Sequence, residues 1–135
     1  MKVFIDSNVP MYVAGREHPC RDPSRRFLDQ VRRGEIEACT SSEVLQEILW
    51  RYSALGRLDL AASVYDLFVQ ICPEVLPVTL ADTDRARQLL VSAAKGFSAR
   101  DAIHAAVMLN HSIKAIATFD AGFDAMKGIQ RVLLR

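Results

Sequence analysis

Short apolar runs alternate along the chain with longer segments of helical period. Lys2 to Ile5 is apolar except at its first residue and is closed by Asp6, which predicts a buried strand delivering Asp6, Ser7 and Asn8 into a loop. Asp22 followed by Pro23 has the form of an N-cap with proline at the first helical position, opening a helix through Phe27, Leu28 and Val31 to Gly34. Ile36 to Cys39 predicts a second, weaker strand. Thr40 and Glu43 fit a capping box, after which Val44, Leu45, Ile48, Leu49, Tyr52 and Leu55 recur at helical spacing until Gly56.

Ala61, Val64, Tyr65, Phe68 and Ile71 form the stripe of another amphipathic helix, ended by Cys72-Pro73. Val75 to Val78 predicts a third strand, and Pro77 within it points to a sheet edge. Asp82 to Ala94 has an acidic first turn and an Ala86, Leu89, Leu90, Ala93 stripe, the pattern of a surface helix. Ser98 to Leu109 is apolar almost all round, so it should lie deep, capped by Ser98 with Asp101 in its first turn. Ala115 to Ala117 is the fourth strand, Thr118-Phe119-Asp120 leaves its end, and a last short strand falls near Val132 to Leu134. Strands alternating with helices predict an α/β fold with a mainly parallel sheet of four or five strands and helices on both faces. Ligands of such sheets bind beyond the carboxyl ends of the strands, where Asp6 and Asp120 are expected.

At 135 residues, half of them hydrophobic, the chain has the size and balance of one globular domain spanning 1–135. The acid at position 6 interrupts the amino terminus too early for a signal-peptide apolar region, and no run approaches membrane-spanning length, so a cytoplasmic protein is expected. Cys20, Cys39 and Cys72 make neither a disulfide framework nor a zinc knuckle. A formal net charge of +1 gives no overall electrostatic case for nucleic acid, although six arginines between Arg16 and Arg33 concentrate in the first quarter.

The candidate chemistry lies in the acids. Asp6 and Asp120 follow strands, and Asp101 stands at the mouth of the buried helix, where capping is its ordinary role. Glu43 and Glu47 share one helix; at about 100° per residue Glu47 lies roughly 125° from the centre of the apolar stripe and Glu43 roughly 165°, so Glu47 is nearer the buried boundary, unless it pairs at the surface with Arg51. Carboxylates gathered in one cleft repel one another unless a cation neutralises them, and hard divalent ions such as Mg²⁺ or Mn²⁺ do so while leaving positions for water and a substrate phosphate. His18, His104 and His111 have no metal-ligand spacing, and His104 reads as a hydrogen-bonded core residue. There is neither a Gly-x-Ser-x-Gly elbow nor a glycine-rich phosphate loop.

Four motifs, VFIDSNV, SSEVLQEIL, SARDAIHAA and IATFDAGFD, occur in the order and at the approximate spacing of the acidic motifs of PIN-domain nucleases, and the chain resembles that family over nearly its whole length, in particular the VapC-like toxins of toxin-antitoxin modules. The resemblance implies a three-layer PIN-like fold with strand order 3-2-1-4-5. It implies that Asp6, Glu47 and Asp101 are metal ligands, with Asp120, or Asp124 in its place, completing the site, and that Ser7, Asn8 and Thr118 orient the carboxylates. It also implies an Mg²⁺- or Mn²⁺-dependent endoribonuclease that leaves 5′-phosphate and 3′-hydroxyl ends, inhibits translation, forms homodimers and is silenced by a small antitoxin.

Arg100 and Lys95 are the basic residues expected nearest the metal edge, as RNA phosphate contacts. Trp50, Tyr12 and Leu58 are candidates for an apolar groove receiving an antitoxin segment. Other readings are a PIN nuclease of RNA processing or one acting on DNA, and a non-catalytic interaction module, which the presence of all four acids weakens. A haloacid-dehalogenase-type phosphatase would need an Asp-x-Asp where this chain has Asp6-Ser7-Asn8.

Overall fold

A computed structural model describes residues 1–93 and 96–135; Lys95, expected at the metal edge, lies outside them. Five parallel strands form one sheet: β1 (Val3–Ile5), β2 (Ala38–Ser41), β3 (Val75–Leu76), β4 (Ala115–Ala117) and β5 (Gln130–Arg131), in the order β3-β2-β1-β4-β5. β1 is central, with Phe4 opposite Cys39 on one side and Ile116 on the other. Consecutive residues of a strand face opposite sides of a sheet, and here Phe4, Ile5, Ile116 and Ala117 are all fully buried, so both faces are covered. Helices α1 (Asn8–Ala14), α2 (Arg21–Arg32) and α4 (Leu58–Ile71) pack together, as do α5 (Leu80–Ser92) and α6 (Ala99–Asn110), while α3 (Ser42–Ala54) touches both α4 and α6. The chain is an α/β three-layer fold with the expected strand order.

Several boundaries differ from the sequence expectation, each for a local reason. Ser7 and Asn8 do not enter a loop: Ser7 already has helical backbone angles and Asn8 opens α1, with Pro10 in the first turn, where no backbone N–H donor is needed. α2 begins at Arg21 with Cys20 as its N-cap, so Asp22 lies in the first turn, where its charge still favours the helix. Ser41, not Thr40, caps α3, its Oγ accepting from the Val44 N–H at 3.5 Å. Thr40 still belongs to β2 and its hydroxyl donates to the Ile5 carbonyl at 2.9 Å. α5 starts at Leu80, because the Thr79 N–H donates to Asp82 Oδ2 at 2.9 Å in a capping box. The last strand is Gln130–Arg131 rather than Val132–Leu134; after the Val132 N–H donates to the Ile116 carbonyl at 2.9 Å, the chain leaves the sheet and Leu133 is exposed.

Cys39 and Cys72 are buried, and burial pushes their thiols up to about 12 and about 11, which leaves them as packing residues at neutral pH. Among the described residues, no helix is long and apolar enough to cross a membrane.

Candidate active site

The carboxyl ends of β1 and β4 are adjacent, and that adjacency builds the site. Asp6 follows β1, is buried, and its backbone N–H donates to the Ala117 carbonyl at 3.1 Å, extending the β1–β4 pairing by one residue. Its Oδ1 accepts the Ser7 N–H at 2.7 Å and its Oδ2 the Thr118 hydroxyl at 2.8 Å. Asn8 closes this corner: its Nδ2 donates to Thr118 Oγ1 at 3.0 Å, and its Oδ1 accepts from the Phe119 N–H at 3.4 Å. Ser7, Asn8 and Thr118 thus fix the direction of the Asp6 carboxylate.

Glu47 comes from α3, one turn beyond Glu43, and is 8% exposed despite its charge. Its Oε2 accepts the Ser7 hydroxyl at 3.0 Å, and its Oε1 is in hydrogen-bond contact with His104 Nε2. The surface pair with Arg51 does not form; instead Arg100 Nη1 stands 3.8 Å from Glu47 Oε2 while its guanidinium lies over the Trp50 ring, 5.8 Å from the centroid. Asp6, Glu47 and His104 each offer an atom within 4.8 Å of the others.

The electrostatics follow the crowding. Burial pushes the Asp6 carboxyl above its ordinary range against the pull of His104 and Thr118. Asp101 is also raised, by burial first and then by the charges of Asp120 and Asp6, which places it in their field. Burial acts upward on Glu47 too, but the hydrogen bond and charge of His104, with Ser7 and Arg100, outweigh it and hold the carboxyl below its ordinary value. His104 shows the converse: burial disfavours its charge, yet Glu47, Asp6 and Asp101 together raise it.

Asp101 sits in the first turn of α6, where its backbone N–H donates to Ser98 Oγ at 3.1 Å. Asp120 is exposed, with Oδ1 accepting from the Gly122 N–H at 2.8 Å to start the 3-10 turn Ala121–Ala125. A methyl at Gly122 would stand 3.0 Å from that oxygen, so the Asp120 side chain would have to give way by a few tenths of an ångström. Asp124 is turned to Arg131, which donates to it from Nε and Nη2 at 2.8 Å each and holds its carboxyl below the ordinary range. The structure therefore gathers Asp6 and Glu47 with His104, leaves Asp101 and Asp120 outside that close group although Asp101 feels the charges of Asp120 and Asp6, and gives Asp124 another partner.

His104 is the functional candidate that periodicity concealed. In a helix apolar all round, a histidine reads as core, and it is indeed buried and hydrogen-bonded; its partner, however, is Glu47 of the acid cluster. The signal was its position three residues after Asp101, which puts both on one helical face. A cleft of about 410 Å³ adjoins the acids, with Ser7, Met11, Tyr12, Tyr52, Leu55 and Arg100 among its lining. Of the three groove candidates only Tyr12 lines it; Trp50 and Leu58 are exposed and outside its lining, Trp50 being engaged by Arg100.

The PIN-domain family model matches residues 3–129 of this arrangement. The chain belongs to the PIN-domain family. Among curated PIN relatives, the chain is 39% identical over 130 residues to ribonuclease VapC13 of Mycobacterium tuberculosis, covering 96% of this chain and 98% of that one. Among solved structures, VapBC2 of Rickettsia felis bound to a promoter DNA fragment superposes with a TM-score of 0.77 at 18% identity, covering 98% of each chain. Mycobacterium tuberculosis VapC20, described as a sarcin-ricin loop cleaving toxin, superposes with a TM-score of 0.75 at 19% identity over 93% of this chain and 95% of that one. These structural likenesses establish the PIN fold.

The donor set fits a hard divalent ion: buried Asp6 and Glu47 oxygens converge from two elements, and a third carboxylate, Asp101, is raised by burial and by the charges of Asp120 and Asp6.

Proposed function

We propose that this chain is a single PIN nuclease domain, an Mg²⁺- or Mn²⁺-dependent endoribonuclease and the toxin of a toxin-antitoxin pair. The observation that carries the reading is the burial of Asp6 and Glu47 side by side, drawn from positions 41 residues apart and braced by one serine. Like charges buried side by side are costly even when each is hydrogen-bonded, so holding two carboxylates together is a functional arrangement rather than a stabilising one. The likeness to VapC13, a ribonuclease by name, supports RNA as the substrate.

In this reading Asp6, Glu47 and Asp101 hold the cation, with Asp120 on the open side. Bound there, the ion supplies stabilisation of charge on the phosphoryl group and a water acidified for attack. Ser7, Asn8 and Thr118 keep the carboxylates from rotating, so the site is organised before RNA arrives. Arg100, exposed beside Glu47, contacts a substrate phosphate, and hydrolysis leaves 5′-phosphate and 3′-hydroxyl ends. A cytoplasmic homodimer, restrained by a small antitoxin until its release halts translation, completes the proposal; the VapBC likeness supports the pairing.

Incubation of purified protein with total RNA and with DNA, in Mg²⁺, Mn²⁺ or chelator, followed by mapping of the ends, tests this. RNA cleaved only with metal, with the stated ends, is expected. Cleavage in chelator, or of DNA alone, overturns it.

A further inference from the structure

His104 is wholly buried, and its polar atoms are not used by the packing around it. Its ring lies 5.7 Å from that of Phe4, tilted by 45°, and Nδ1 has no hydrogen-bond partner among the described residues. The imidazole therefore spends its polar contacts on the acids: Nε2 meets Glu47 Oε1 and stands 3.8 Å from Asp6 Oδ1. A leucine would fill such a space at no desolvation cost, so a histidine here answers to the carboxylates.

Glu47 is held at both ends, by His104 on Oε1 and by the Ser7 hydroxyl on Oε2 at 3.0 Å. A carboxylate only accepts, so Nε2 carries the hydrogen directed at Oε1, and a ring nitrogen bearing hydrogen has no lone pair for a metal. Nε2 is thus committed to Glu47 Oε1, with Asp6 Oδ1 the next acid at 3.8 Å.

We propose that His104 is a positioning residue of the metal site: its Nε2–H fixes the Glu47 carboxylate that ligates the cation, and the imidazole itself stays off the metal. This rests on reading Asp6 and Glu47 as ligands. It makes α6 a contributor twice over, with Asp101 facing the cation and His104, one turn on, holding a carboxylate of α3.

The test is Mn²⁺ affinity by titration calorimetry for wild type, H104L and H104Q, with pulsed EPR of the Mn²⁺-loaded wild type. Leucine fills the volume without a donor, whereas glutamine places an amide N–H near the position of Nε2. H104L should bind Mn²⁺ at least about tenfold more weakly and H104Q within about threefold of wild type, the size expected for loss and retention of an orienting bond. At saturating Mn²⁺, the KM of H104L for RNA should match wild type, since His104 does not face substrate. The EPR spectrum should show no directly bonded nitrogen. Nitrogen bonded to Mn²⁺, wild-type affinity in folded H104L, or H104Q as weak as H104L each overturns the proposal. Should H104L fail to fold, H104Q and the EPR spectrum still decide. A wild type that binds no Mn²⁺ overturns the metal-dependent function itself, whereas equal binding by wild type and H104L removes only the role of His104.

Discussion

The Ser7 hydroxyl donates to Glu47 Oε2 at 3.0 Å, joining the start of α1 to the middle of α3 inside the protein. Although Ser7 occupies the N-cap of α1, its side chain makes no cap bond, so the hydroxyl serves the carboxylate rather than the helix. Ser7→Ala should therefore lower Mn²⁺ affinity and RNA cleavage about tenfold or more, with little of the roughly 1 kcal/mol that a lost cap costs. Ser7→Thr should recover much of the loss. Metal titrations and thermal melts of the two variants check this; a large fall in Tm without a change in affinity would reassign Ser7 to stability.

Glu43 and Glu47 lie one turn apart on α3 and differ in surroundings. Glu47 is buried against Ser7 and His104, whereas Glu43 is half-buried, and its carboxylate accepts no hydrogen bond among the described residues. Glu47→Gln should reduce cleavage at least about a hundredfold, the scale of removing a group that organises transition-state charge. Glu43→Gln should stay within about threefold. Initial rates at saturating metal separate the two, and equal losses would mean that both glutamates serve the reaction.

Asp101 combines two roles that substitution can separate. Its backbone N–H donates to Ser98 Oγ, so Asp101→Asn keeps that cap bond. Because its carboxyl is raised above the ordinary 3.8 by burial and by Asp120 and Asp6, the native state holds that proton more tightly than the unfolded chain. The resulting stability is complete below the ordinary value and is lost as pH rises through the raised one. Asparagine never ionises and loses none of it. In chelator at pH 7, Asp101→Asn should melt at or above the wild-type temperature and show a shallower decline of Tm from acid to neutral pH, while cleavage is abolished. Millimolar Mg²⁺ should raise the wild-type Tm and leave the variant nearly unchanged.

Arg100 is exposed, stacked over Trp50 and close to Glu47, a placement that presents its guanidinium at the mouth of the carboxylate site. Arg100→Ala should raise KM for RNA by roughly three- to tenfold with little change in kcat, and should flatten the dependence of log affinity on log salt by about one unit of slope, as expected for one lost phosphate contact. Trp50→Ala, which frees the guanidinium to wander, should do the same to a smaller degree. Binding to a fixed RNA across a salt series provides the measurement.

The alternation of apolar runs with helical periods made the sheet legible, because β1 and β4 are buried on both faces and read as unbroken apolar stretches. α1 was not: its seven residues include Pro10 and carry too few positions to display a period. Asp6 and Asp120 could be placed from strand ends alone. Choosing Glu47 over Glu43 needed the angular estimate and the family motif together, and the bonds from Ser7 and His104 that distinguish it come from elements far away in the chain. The pairing of Asp124 with Arg131 is likewise tertiary, since it depends on where β5 lies.

The Thr118 hydroxyl that orients Asp6 is 112 residues away in the chain, and β1 gains its β4 neighbour only when Ala115–Ala117 takes its place beside it. During synthesis, a ribosome-tethered chain holding Asp6, Glu47 and even Asp101 still lacks the residue that sets the first carboxylate. The direction of that carboxylate is therefore settled only once residue 118 has emerged and β4 has docked beside β1.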